Sequence, residues 1–184
     1  MMMDIDADAR RQYEQAGARV APAQPVTLLR IGERQTTAVC GTGAQPESLL
    51  HLAIGYAKTA HAFFKHLPPT PDEMELAIMT VEDEVIGIRR DLPAASALFS
   101  CDAALSDIAR ISGIKEQAGG WLLPLDDLER TFKRLERVML GAPAAWEGIP
   151  LENAFSARLL ILREFMHHHG FEAIHILAPS PSAG

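Results

Sequence analysis

The sequence predicts an α/β fold in a single domain, with a mixed sheet of about five strands and helices packed on its faces. Three observations carry this reading. The length of 184 residues suits one core of ordinary size and is short for two. Three short apolar, β-branched runs follow one another between Val26 and Ile54, each bounded by a turn signal. Beyond them, segments with apolar residues at 3,4 spacing alternate with short apolar runs, as expected of helices returning between strands.

Taken in order, residues 1–25 are polar and Ala-rich and close on Pro22 and Pro25, which predicts a flexible N-terminal arm with room for a short helix. Residues 26–31 and 36–40 read as a hairpin joined by Gly32-Glu33-Arg34-Gln35. After the Gly41-Thr42-Gly43 turn, residues 48–54 supply a third antiparallel strand. Tyr56, Ala60, Phe63 and Leu67 recur at helical spacing until Pro68-Pro69-Thr70-Pro71 stops them. Met74, Ile78, Val81, Val85 and Ile88 form the next stripe, and residues 95–100 a buried strand leading into a helix at 102–111. Leu125, Leu128, Phe132, Leu135 and Met139 mark one more helix, and Leu151, Phe155, Leu159, Leu162 and Met166 another, ending at Gly170. Residues 171–177 read as the last strand and 178–184 as a flexible tail, giving βββ-α-α-β-α-α-α-β over a domain at 26–177.

Composition narrows the function classes. A hydrophobic share of 48% with 22% charged residues is that of a globular protein. No apolar run reaches the roughly 20 residues of a membrane span, and the N-terminus lacks the basic-then-apolar order of a signal peptide, so a cytoplasmic protein is expected. The net charge of −7 opposes broad contact with nucleic acid or an anionic membrane. Two cysteines, Cys40 and Cys101, make neither a disulfide framework nor a zinc pair.

On this frame, Leu28-Leu29-Arg30-Ile31-Gly32-Glu33-Arg34-Gln35-Thr36-Thr37 resembles the Asp-Ile-Gly-Gly-Gly-Ser-Thr-Glu phosphate loop of the exopolyphosphatase and guanosine pentaphosphate phosphohydrolase family. His51-Leu52-Ala53-Ile54-Gly55 resembles the strand, glycine and helix start that follow it there. Pro68-Pro69-Thr70-Pro71-Asp72-Glu73 resembles that family's Pro-rich break, and Phe99-Ser100-Cys101-Asp102-Ala103-Ala104-Leu105 stands where it has a second phosphate loop. The resemblance runs from about Val26 to Leu177 and covers only the second of the family's two core domains. It implies a ribonuclease-H-like domain of the actin and sugar-kinase superfamily, in which a ligand lies in the cleft between two such domains.

The signature residues depart from that pattern. Phosphate loops use glycine because the backbone must approach the anion and aim several N–H groups at it. Gly32 and Thr36 stand at matching positions, whereas Glu33 and Arg34 replace Gly, Arg30 replaces Asp and Thr37 replaces Glu. In the second loop Asp102, Ala103 and Ala104 take the places of two Gly and a Thr, and Asp102 is placed to cap the helix behind it. The family's catalytic carboxylate comes, by the same resemblance, from the first domain. The candidate anion-binding residues are therefore Gly32, Arg34, Thr36, Cys101 and Asp102, with no catalytic residue and no metal ligand assigned.

Other constellations read as ordinary structure. Cys101 lacks the arginine six residues on that a cysteine-phosphatase loop needs, since Asp107 is there. His167-His168-His169 cannot converge on one ion from successive helical positions, and suits the negative end of a helix. Asp126, Asp127 and Glu129 match the acidic first turn of a helix, and Gly41-Thr42-Gly43 lacks the Lys-Ser/Thr ending of a P-loop. The expected function is a divergent, non-catalytic exopolyphosphatase-like domain, a pseudoenzyme with a degenerate site that pairs with a protein partner or with itself as a dimer. The alternatives are a sensor of phosphate or a phosphorylated nucleotide using Arg30 or Arg34, and a phosphohydrolase completed by a partner chain. No cofactor is expected, except Mg²⁺ in the last case.

Overall fold

A computed structural model describes residues 2–178, with side chains from residue 7 onward. The tail expected at 178–184 therefore lies, beyond Ala178, outside the described residues. The first element corrects the flexible-arm expectation. Met2–Gly17 is a helix, α1, and Ala9, Tyr13 and Ala16 at 4,3 spacing are fully buried beneath it. They pack on Val26, Leu28, Val39 and Phe99, and the Tyr13 hydroxyl donates to the Gly43 carbonyl at 3.0 Å. Two of its three core contacts are alanines, so the stripe is faint against its polar neighbours.

Val26–Ile31 (β1), Thr36–Gly41 (β2) and Ser48–Leu52 (β3) form the expected antiparallel meander. Tyr56–Phe63 (α2) ends four residues before Leu67, because Phe64 turns into extended backbone ahead of the prolines. Pro71–Gly87 (α3) opens with a capping box. The Thr70 hydroxyl accepts from the Glu73 amide, and the Glu73 carboxylate accepts from the Thr70 amide. Ala97–Ser100 (β4) and Ala103–Ile111 (α4) follow.

Gly120–Pro124 (β5) is a sixth strand, where five were predicted. It pairs only with the last strand, an edge place that tolerates a terminal proline. Leu125–Met139 (α5), the short Ala144–Glu147 (α6), Asn153–His169 (α7) and Ala173–Leu177 (β6) complete the chain. The sheet order is β3-β2-β1-β4-β6-β5, with β1, β4 and β6 parallel and the remaining pairs antiparallel. This is the α/β, ribonuclease-H-like class expected from the sequence, with one strand more.

Alternation along β1 sorts the two faces. Leu29 and Ile31 face the main core with α2, α3, α4, α5 and α7, while Val26 and Leu28 face α1 alone. Ten of the 17 residues of α7 are buried, so it is the central helix of that core. On the opposite side α1 packs mainly over β1 and β2, and its cluster extends to Phe99 on β4 and Leu177 on β6.

His169 and Glu73 both contribute to an acid sensitivity of the fold. Burial, aided by His168 and Arg89, pushes the His169 imidazole down to about 4, so the folded state keeps it neutral. An unfolded chain takes up that proton near 6.5, and stability is therefore lost between about pH 6.5 and 4. At Glu73 desolvation works upward, but hydrogen bonds from His66, Thr70 and Lys65 bring the carboxyl down to about 2. Its contribution, present above its unfolded value, is lost as pH falls towards 2. Urea unfolding at pH 7, 5 and 3 is expected to show decreasing stability, and His169→Gln to flatten the first step. An unchanged first step in that variant would remove His169 as its source.

Candidate anion site at the strand ends

The two loops singled out in the sequence do meet, at the C-terminal ends of β1 and β4. The β1–β2 turn is closed by the Gly32 amide donating to the Gln35 carbonyl at 3.0 Å. α2 approaches it end-on. The Tyr56 amide donates to the Gly32 carbonyl at 2.9 Å, and the Ala57 and Lys58 amides both donate to the Glu33 carbonyl at 3.0 Å. The amides that a helix N-terminus offers to an anion are thus taken by the turn. Gly55 makes this contact possible, since a Cβ there would lie 2.5 Å from the Arg34 backbone nitrogen and carbon and the Glu33 carbonyl oxygen.

Asp102 departs from its expected role. It occupies the N-cap position of α4, yet its carboxylate makes no cap bond and reaches β1 instead, accepting the Ile31 amide at 2.8 Å. Ser100 locks the same junction by donating its hydroxyl to the Leu29 carbonyl at 2.8 Å. Burial raises the Asp102 carboxyl above its ordinary value, opposed by the Ile31 amide, Arg30 and Arg158. An internal carboxylate therefore holds the backbone N–H at the mouth of the first loop and faces two guanidinium groups. A phosphate entering there would meet a like charge and an occupied donor.

The remaining candidates scatter. Arg34 is exposed on the turn. Thr36 is fully buried, and its hydroxyl has no partner among the described residues. Arg30 is tied to the Asp8 carboxylate of α1 at 3.2 Å. Cys101 turns towards the α1 side, and burial together with Asp102 and Asp8 pushes its thiol up to about 11, so it is protonated at neutral pH and a poor nucleophile. Arg158 and Tyr56 were not singled out in the sequence. The Arg158 guanidinium lies over the Tyr56 ring at 3.5 Å, and the Tyr56 hydroxyl donates to Glu33 at 3.3 Å. Arg158 sits within the α7 stripe, where nothing in the local pattern marks it. No group of three or more ligating side chains able to hold a metal occurs among the described residues.

No family model and no curated protein matches the chain. Solved structures do. An Aquifex aeolicus Ppx/GppA family member superposes with a TM-score of 0.73 at 15% identity, covering 94% of this chain and 58% of that one. The Aquifex aeolicus PPX-GPPA enzyme gives 0.71 at 16% identity, with coverage of 90% and 57%. An exopolyphosphatase from Cytophaga hutchinsonii gives 0.68 at 15%, with 94% and 58%. The resemblance read from the sequence holds in three dimensions as a likeness of fold. The chain spans less than three fifths of the length of these relatives, consistent with one of two domains.

Proposed function

We propose that this exopolyphosphatase-like domain is not a phosphohydrolase, and that it acts as an interaction or regulatory module. The observation that carries the reading is the 2.8 Å bond from the Ile31 amide to the Asp102 carboxylate, which puts a protein anion between the two loops. The α2 amides are bonded to the turn as well, and Arg30 is held by Asp8. A surface suited to a protein partner supports the second half. Leu67 and Leu151 line a groove of about 470 Å³ with Pro68, Pro69 and Met139, and nearby segments expose Leu140 (77%) and Trp146 (86%). The partner is another protein or a second copy of this chain. No helix among the described residues is long and apolar enough to cross a membrane.

Thermal unfolding with phosphate, guanosine tetraphosphate or short polyphosphate, each with Mg²⁺, is the direct test. The expected result is an unchanged midpoint and no phosphate release above buffer. A site filled at 100 times its Kd would add about 2.7 kcal/mol of stability, a readily measured rise. Such a rise with phosphate or short polyphosphate, or turnover by the chain alone, would overturn the proposal. Light scattering over a concentration series reports self-association in the same samples.

A further inference from the structure

The α1 side of the sheet carries a cavity of about 410 Å³ over β4, β6 and β5. Its floor is the ring of His175, stacked on Phe99 with centroids 4.8 Å apart and planes 22° apart, beside the half-exposed Leu122. One wall is the segment after α1, with Arg19 and Gln24; the other is the turn before β5, with Gln117. That turn is pinned by reciprocal Gln117–Gly120 backbone bonds of 2.8 and 3.1 Å, and by the Ala178 amide on the Gly119 carbonyl at 3.1 Å. Gly119 has φ +97°, and a Cβ there would collide with Arg19 Nη1, so the glycine leaves the space in which the guanidinium lies.

The polar groups around this space are unspent. Among the described residues Arg19 has no carboxylate at ion-pair distance, and His175 makes its ring stack but no hydrogen bond. A cation and two amides around an exposed imidazole suit a flat ring that carries a negatively charged group. The volume falls in the range of ligand sites, about 300–1,000 Å³. We propose that this cavity binds a small planar aromatic anion, its ring stacked on His175 and its charged group at Arg19. Burial lowers the proton affinity of His175, which favours the neutral ring as a stacking platform at pH 7.

Calorimetric titration of the full chain with nicotinate, adenosine monophosphate and inorganic phosphate tests this, with amide NMR shifts locating any binding. Saturable binding of nicotinate or the nucleotide is expected, with shifts centred on Gly119, Gly120 and Leu122. Nicotinate alone would identify an aromatic carboxylate as the ligand class, and the nucleotide alone an aromatic phosphate. Both Arg19→Gln and His175→Ala alter exposed side chains, and each is expected to weaken binding by about tenfold or more, the worth of one charged or stacked contact. Failure of both aromatic anions to saturate at millimolar concentration, equal binding of inorganic phosphate, or binding unaffected by either substitution would overturn the proposal.

Discussion

Replacing Phe165 with alanine is expected to cost about 3–5 kcal/mol, the range for emptying a fully buried aromatic site. Phe165 has no exposed surface, lies at the middle of the main core, and stacks on Phe171 at 5.8 Å with His169 edge-on at 4.8 Å. It sits on α7, the helix that α2, α3 and α5 all pack against, so the cavity cannot close by moving one loop. For a chain of this size such a loss lowers the melting temperature by about 6–20 °C. Denaturant unfolding should show a lower midpoint with unchanged slope. A cost below about 1 kcal/mol would mean the site collapses and α7 is not the rigid centre.

Tyr13→Ala is the second large effect, also about 3–5 kcal/mol, and it tests whether α1 is an integral part of the domain. The ring is fully buried against Val26, Leu28, Val39 and Phe99. Tyr13→Phe separates packing from the hydrogen bond. It removes only the donation to the Gly43 carbonyl, which is exposed and can turn to water, so about 0.5–1.5 kcal/mol is expected. Unfolding curves for the two variants that coincide with the parent would return residues 2–17 to the flexible arm predicted from sequence.

How far the sequence could be read follows from where the information lies. β1 and β2 were legible because both faces of each are buried, so their apolar runs are continuous. The stripe Met74, Val81 and Val85 gave α3 for the same local reason, and the Thr70–Glu73 box marks its start. β5 was not, since Trp121-Leu122-Leu123 is a three-residue run between Gly120 and Pro124, and its strand character comes from pairing with residues 173–177. α1 was hidden by its alanines. At the candidate site, the loss of glycine pattern was visible, but the partner of Asp102 lies 71 residues away and no periodicity encodes it. The same holds for Arg158, whose charge on α7 favours the ionised Asp102 carboxyl.

The central position of α7 has a consequence for biosynthesis. Almost everything that packs on it precedes it in the chain, and His169 emerges from the ribosome well after β1, α2 and α3. At ~5–20 residues per second, the interval between completing the first three strands and completing α7 is on the order of 10 s. Throughout it the sticky inner sides of α2 and α3 lack their cover. The inner sides of α2 and α3 are thus the last to be covered during synthesis, and slower translation of Asn153–His169 lengthens the time they stay open to solvent.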